Sequence, residues 1–79
     1  MFVFSDTEKE EMIQKLVSNM PMLRKRLNLS QEELASIAGV SRQTINAIEN
    51  NKYDPTLALA FRLAQVLGTT VDLLFTPSV

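Results

Sequence analysis

Two helix starts lie close together in the middle of the chain, at Ser30 and Ser41, with Gly39 between them. Ser30 and Glu33 have the spacing of a capping box, in which the serine hydroxyl and the glutamate carboxylate each accept from a main-chain N–H. Ser41 can cap a second helix, and Gly39 suits the left-handed conformation that ends the first. The sequence therefore predicts one helix from about Gln31 to Ala38 and another from Ser41 to about Glu49 or Asn50.

Two helices joined by a short turn that contains glycine form a helix-turn-helix unit, which we place over residues 31–50. Ala35 is small where the second helix must cross the first, so the two backbones can approach closely. Val40 and Ile45 have the spacing of a hydrophobic staple at the second helix start. The alternative is a generic helical hairpin in a bundle, which would not need all these features in register.

A helix is also predicted before this unit. It would begin near Thr7, and its apolar residues recur at the spacing of one helical face. These residues are Met12, Leu16, Met20, Leu23 and Leu27. Pro21 interrupts that face and cannot donate a hydrogen bond to the carbonyl of Val17. We therefore expect a kink or a break near residues 19–21.

A fourth helix should start at Thr56, end at Gly68 and be followed by a short last helix capped by Thr70. The fourth is apolar nearly all round, so it must be covered on more than one face. The residues expected to face the core are Leu57, Ala60, Phe61, Ala64 and Leu67. Those that would need another cover are Leu59, Leu63 and Val66. That cover could be the N-terminal arm with Phe2 and Phe4, or a second copy of the chain.

The helix after Ser41 carries an outward face suited to contact with bases. If Ile45 lies at the centre of its buried face, a turn of about 100° per residue places the polar residues on the other side. Arg42 lies on one flank, and the residues that point outward are Gln43, Asn46, Ala47 and Asn50. Arginine can bond guanine, asparagine or glutamine can bond adenine, and a methyl group can contact thymine. A merely solvated face would more often carry glutamate and lysine.

With these features the chain closely resembles the phage repressor and Cro type of helix-turn-helix regulator, also called the XRE family. The resemblance covers about residues 23–75 and rests on the segments LSQEELA, GVSRQTINAIEN and LAQVLGTTVDLLF. It implies an all-α fold, a compact five-helix bundle of the lambda-repressor type. The length of the chain indicates a single domain over residues 1–79, in which residues 1–15 are an N-terminal extension that departs from the family. It also implies binding to double-stranded DNA as a homodimer on a palindromic operator.

The resemblance further implies roles for single residues. Base contacts are expected from the start of the recognition helix, at Ser41, Arg42, Gln43 and Asn46. Phosphate contacts are expected from Gln31, Thr44, Asn50, Asn51, Lys52 and Tyr53, although Thr44 could also touch a base. Arg24 and Glu49 are expected to form a structural ion pair. Two departures from the family are Pro21 in the first helix and Asn51 where members usually have glycine.

The charge distribution removes an apparent objection to DNA binding. The whole chain has a net charge of -1, although a DNA-binding protein must meet a polyanion. Residues 24–52 alone contain five cations and three acids, so the predicted reading unit is basic. Salt screens charges beyond about 8 Å under physiological conditions, so a phosphate responds mainly to this local surface. Few cations per chain should still make binding depend strongly on dimerisation.

Composition argues against other classes of function. The chain contains neither histidine nor cysteine, so the commonest metal ligands and acid–base catalysts are missing, and we expect no enzyme, metal or cofactor. No apolar run approaches the roughly 20 residues that span a bilayer, and MFVF is too short for a signal peptide. We expect a cytoplasmic protein with no membrane association. Two hypotheses remain: a stand-alone regulator, most plausibly a repressor, and an antitoxin-like or adaptor protein that binds a protein partner.

Overall fold

The computed structural model describes residues 16–77, which form five helices and one small sheet. The helices are α1 (Met20–Arg26), α2 (Gln31–Ala38), α3 (Arg42–Glu49), α4 (Leu57–Val66) and α5 (Val71–Leu74). The strands are β1 (Leu16–Ser18) and β2 (Phe75–Pro77), which pair antiparallel. The mostly helical fold is the one that the sequence predicts. No helix within the described range combines the length and apolar character needed to cross a membrane.

The helix-turn-helix unit forms as predicted, with α2 and α3 as its two helices. The Ser30 hydroxyl accepts a hydrogen bond from the Glu33 N–H, and the Glu33 carboxylate accepts from the Ser30 N–H, both at 3.0 Å. Gly39 ends α2 with a φ of 74°, where a side chain would be strained. The Ser41 hydroxyl accepts from the Thr44 N–H at 3.1 Å, which caps α3.

The capping box also affects the charge of Glu33. The main-chain N–H of Ser30 donates to its carboxylate and, with the Ser30 hydroxyl, holds the pKa of Glu33 below its usual value. A carboxyl whose pKa is lowered by folding stabilises the folded chain when it is ionised. Its contribution is therefore present at neutral pH and is lost as the pH falls through the lowered pKa.

We expect Ser30→Ala to lower the free energy of unfolding by about 1 kcal/mol, because the Glu33 N–H loses its acceptor at the start of α2. Ser36→Ala is the matched control, since Ser36 is an exposed serine in the body of the same helix. Thermal unfolding followed by circular dichroism measures both. Equal stability of the two variants would contradict the capping role of Ser30.

The predicted helix before α1 is wrong for the described residues. Residues Leu16–Ser18 are a strand, and α1 begins at Met20 with Pro21 in its first turn. Proline suits the first turn of a helix, where its missing N–H has no helical partner to lose. The chain therefore breaks at Asn19 instead of bending. The predicted helix start at Thr7, the apolar Met12 and the extension over residues 1–15 lie outside the described residues.

The small sheet closes the two ends of the described chain against each other. The N–H of Asn19 donates to the carbonyl of Leu74 at 2.8 Å, and the Asn19 side chain donates to the carbonyl of Leu73 at 2.9 Å. These bonds hold β1 beside α5 and β2. Thr70 precedes α5, as expected, but its side chain makes no capping bond.

One hydrophobic core joins all five helices and β2. Its buried members are Met20, Leu34, Ala35, Ala38, Ile45, Ile48, Leu59, Ala60, Leu63, Ala64, Leu67, Leu74 and Phe75. The predicted orientation of α4 is wrong: Leu59 and Leu63 are buried, whereas Leu57 and Phe61 are 69% and 57% exposed. Val66 is half-buried and packs against the core. Leu59, Leu63 and Val66 therefore do not form an outer surface of this chain.

Candidate nucleic-acid interface

The outer face of α3 carries three exposed polar side chains around one shallow depression. Ile45 and Ile48 anchor the helix in the core. Arg42, Gln43 and Asn46 are exposed and line a depression of about 300 Å³. These side chains supply a guanidinium and two amides, which are hydrogen-bonding groups that can match the edges of bases. Because Ile45 and Ile48 are buried, the rotation of α3 is fixed and these three side chains stay at the surface.

Ser41 and Thr44 are engaged with each other at the start of α3. Their hydroxyl oxygens lie 2.9 Å apart, and the Ser41 oxygen also accepts from the Thr44 N–H. Ser41 is exposed and Thr44 is half-buried, so Ser41 remains at the surface while it caps the helix.

Arg24 and Glu49 form an ion pair that fixes α1 to the end of α3. Arg24 Nε lies 2.8 Å from Glu49 Oε2, and Arg24 Nη2 donates to Glu49 Oε1 at 3.2 Å. A third guanidinium nitrogen, Nη1, donates to the carbonyl of Leu29 at 2.9 Å. The two side chains are only 12% and 5% exposed. The pair is therefore structural, as the sequence led us to expect.

The side chain of Gln31 points across to α3. Its Nε2 donates to Glu49 Oε1 at 3.0 Å, and its Oε1 accepts from Asn46 Nδ2 at 3.5 Å. A phosphate contact by this side chain would therefore compete with its hydrogen bonds to Glu49 and Asn46. The main-chain N–H of Gln31 lies in the first turn of α2, where the helix dipole favours an anion.

The loop after α3 uses its main chain to end the helix. The N–H groups of Asn50, Asn51 and Lys52 donate to carbonyls of α3 at 2.9–3.1 Å, so they are not open donors in this structure. Asn51 has a φ of 60°, which shows that asparagine can occupy the position where glycine is usual. Its side chain accepts from the Ser18 N–H at 2.9 Å and so ties the loop to β1. The side chains of Lys52 and Tyr53 are exposed.

The positive charge around this face comes from a few exposed side chains. Arg42 is the first residue of α3, and Lys52 lies in the loop that follows the helix. The exposed acids Glu32 and Glu33 lie in the first turn of α2. Glu49 is neutralised by its ion pair with Arg24. The first turns of α2 and α3 add partial positive charge from main-chain N–H groups. An anion at this face would therefore meet favourable local charge despite the net charge of the chain.

Comparison with known proteins decides the family. The profile described as "Helix-turn-helix" matches residues 22–74, which include all five helices except the first two residues of α1. The chain belongs to this helix-turn-helix family. The match confirms the resemblance to phage repressor and Cro-type regulators.

Relatives in the helix-turn-helix family carry names of regulators. An uncharacterized HTH-type transcriptional regulator from Methanocaldococcus jannaschii is 56% identical over 48 residues, which cover 61% of this chain and 73% of that protein. The restriction-modification controller protein C.AhdI from Aeromonas hydrophila has a solved structure with a TM-score of 0.65 and 30% identity. That match covers 71% of this chain and 81% of the controller.

The same fold also occurs as part of an enzyme. Hydroxypropylphosphonic acid epoxidase from S. wedmorenis matches with a TM-score of 0.68 and 31% identity over 76% of this chain. The match covers only 32% of the epoxidase, so most of that enzyme has no counterpart here.

Two features of this helix-turn-helix chain were missed by sequence reasoning. Arg62 Nη1 donates to the carbonyl of Ala38 at 2.9 Å and so supports the end of α2. An apolar groove of about 690 Å³ lies between α4, α5 and the sheet, with Leu16, Phe61 and Phe75 among its lining residues. Arg62 was the one available signal for the first feature, because it is the one cation of α4.

Proposed function

We propose that the chain is a sequence-specific, double-stranded DNA-binding regulator that places α3 in the major groove. The observation that supports this proposal is the exposed cluster of Arg42, Gln43 and Asn46 on a helix whose inner face is buried. Arg42 would bond guanine, and Gln43 and Asn46 would bond adenine. Ser41 would meet a base or the adjacent backbone from the helix start.

Phosphate contacts on either side would fix the register of α3 on the duplex. Lys52 and Tyr53 are the exposed side chains of the following loop, and the first turn of α2 offers main-chain N–H groups at Gln31. Thr44 would add a contact from the first turn of α3, whereas Asn50 would contact phosphate only by giving up its hydrogen bonds to Asn46. Contacts of this kind position a protein but carry no sequence information directly.

We further propose that two copies bind together, through the apolar groove instead of the surface first predicted from the sequence. Leu57 and Phe61 expose apolar side chains on α4, and Leu73 exposes one on α5. Phe61 also lines the groove together with Leu16, which is 39% exposed. Exposed apolar surface beside a groove is typical of an interaction site. A symmetric pair would present two α3 helices to half-sites about 34 Å apart, which favours a palindromic operator. The predicted contributions of Phe2 and Phe4 lie outside the described residues.

Phe61→Glu is expected to shift the chain from dimer to monomer at micromolar concentration, because it places a charge in an apolar interface. Sedimentation without DNA measures the mass. Ile37→Glu is the matched control, since Ile37 is 58% exposed on α2, away from the groove. A wild-type chain that is monomeric, or a Phe61→Glu chain that remains dimeric, would contradict the proposed interface.

We propose repression as the regulatory outcome, because it requires nothing beyond binding to the operator. A dimer bound in the cytoplasm across its operator blocks polymerase by occupancy, without a further activity. The test of the function is selection of bound duplexes from a random pool. One enriched motif is the expected result, and a pool without enrichment would contradict sequence-specific binding.

The apolar groove also supports a second candidate, an antitoxin-like or adaptor protein whose groove binds a protein partner. The observation in its favour is the exposed Phe61 beside the groove. The two candidates differ in the role of α3. A partner-binding protein would tolerate Arg42→Ala and lose function with Phe61→Glu, whereas a DNA-binding regulator would lose function with either substitution.

A further inference from the structure

Four polar side chains form a hydrogen-bonded line from the ion pair of Arg24 and Glu49 to the outer face of α3. Gln31 donates to Glu49 at 3.0 Å, Asn46 donates to Gln31 at 3.5 Å, and Asn50 donates to Asn46 Oδ1 at 3.2 Å. The line begins at a nearly buried carboxylate and ends at the surface. It passes through Asn46, one of the side chains that would meet bases.

The carboxylate of Glu49 determines the direction of each bond in the line. An ionised carboxylate can only accept, so the NH₂ group of Gln31 must face Glu49. The oxygen of Gln31 then faces Asn46, and only the NH₂ group of Asn46 can donate to it. The orientation of the Asn46 amide therefore follows from hydrogen-bonding chemistry at its neighbours.

Asn50, at the opposite end of the line, requires the same orientation of the Asn46 amide. Asn50 Nδ2 donates to the main-chain carbonyl of Asn46 at 2.8 Å, and a carbonyl can only accept. The NH₂ group of Asn50 therefore faces Asn46, whose Oδ1 accepts from it at 3.2 Å. Because both ends require one direction, the opposite orientation of the Asn46 amide would place like groups together.

We infer that Gln31 is a positioning residue that determines base specificity by holding the Asn46 amide in this orientation. The inference rests on the proposed DNA-binding function. The second N–H of Asn46 and a second lone pair of its oxygen then remain for a base. Adenine presents an acceptor and a donor in the major groove, which match this pair, whereas guanine presents two acceptors. A freely turning amide could present its NH₂ group to guanine, but the held amide meets it with an oxygen.

The free protein offers a test that does not involve DNA. Gln31→Met keeps the length and helix propensity of the side chain and removes both of its hydrogen bonds. In ¹H–¹⁵N spectra we expect it to shift the side-chain NH₂ resonances of Asn46 and Asn50. Ser36→Ala, on the exposed side of α2, should leave them in place. Unshifted Asn46 and Asn50 resonances in the Gln31→Met chain would overturn the inference but would leave the proposed DNA-binding function standing.

Binding to duplexes that differ at one base provides the functional readout. The varied base pair is chosen by comparing the sites that the wild type and Asn46→Ala select. It is the position at which only the wild type prefers one base. We expect Gln31→Met to reduce the preference for adenine over guanine there by about two- to tenfold, the worth of one exposed hydrogen bond. In an Asn46→Ala background, Gln31→Met should change the preference no further.

Two other binding results would overturn the inference, and they can be told apart. Equal weakening of the adenine and guanine duplexes by Gln31→Met would identify Gln31 as a phosphate contact. A wild-type chain with no preference between any bases would overturn the proposed function and the inference with it.

Discussion

Replacing Arg24 with methionine should lower the free energy of unfolding by about 3–5 kcal/mol, because it leaves the nearly buried carboxylate of Glu49 without its charge partner. Gln31 would be the one remaining side-chain donor to that carboxylate among the described residues. The substitution also removes the bond from Arg24 to the carbonyl of Leu29. Chemical denaturation followed by circular dichroism measures the loss.

Arg26→Met is the matched control, because it removes an exposed arginine from the same helical turn. It should change the free energy of unfolding by less than about 0.5 kcal/mol. The double variant Arg24→Met/Glu49→Met should recover much of the lost stability, since an apolar pair can replace a buried ion pair. Equal effects of Arg24→Met and Arg26→Met would show that the ion pair does not hold α1 to α3.

Replacing Arg42 with lysine should weaken binding to the selected operator by about 1–3 kcal/mol while leaving the stability of the chain unchanged. Lysine keeps the positive charge but cannot bond both acceptors of a guanine edge in the planar arrangement that arginine offers. Arg42 is exposed and lines the depression on α3, so its side chain has little part in the fold. Titration of labelled duplexes with and without the contacted guanine measures the effect.

Lys52→Ala serves as the comparison, because we propose that Lys52 meets phosphate. It should weaken binding to all duplexes about equally and reduce the slope of log affinity against log salt by about one. The two substitutions thus separate base contact from phosphate contact. An Arg42→Lys chain that loses affinity equally for every duplex would remove Arg42 from the base-reading residues.

The parts of the fold that the sequence predicted well are those with local causes. Ser30, Gly39 and Ser41 act within a few residues of their own position, through caps and a left-handed turn. The ion pair of Arg24 and Glu49 came from the family resemblance, and the structure shows it at hydrogen-bonding distance.

The strand β1 could not be read from local pattern. Leu16 continues the helical spacing of apolar residues, but its partner is Pro77, which lies at the other end of the described chain. Pro21 correctly indicated a helix boundary near residues 19–21. The residues before that boundary form a strand because they pair with Phe75–Pro77. Pairing between distant segments leaves no signal in the spacing of one of them.

The orientation of α4 failed for a different reason. An apolar pattern nearly all round a helix does not indicate which face is inside. Ala60 and Ala64 belong to both the predicted and the observed inner face, but Leu59 and Leu63 are buried in place of Leu57 and Phe61. The bond from Arg62 to the carbonyl of Ala38 is consistent with that rotation. For this reason the proposed dimer surface is the groove lined by Phe61 and not the surface of Leu59, Leu63 and Val66.

The candidate site was predicted as a set of residues but not as a connected network. Helical geometry placed Gln43 and Asn46 outward and Arg42 on one flank, and the structure shows the three lining one depression. The contacts of Gln31 with Glu49 and Asn46 depend on how α2 crosses α3, which the sequence does not specify at the level of single atoms.

Base reading by α3 can be tested by parallel selection from a random duplex pool, with the wild-type chain and with Arg42→Ala/Gln43→Ala. We expect the wild type to enrich an inverted repeat whose half-sites are about one helical turn apart. The double variant, folded to the same thermal midpoint, should enrich no such motif. Enrichment of the same motif by both chains, or of none by the wild type, would contradict sequence reading by the outer face of α3.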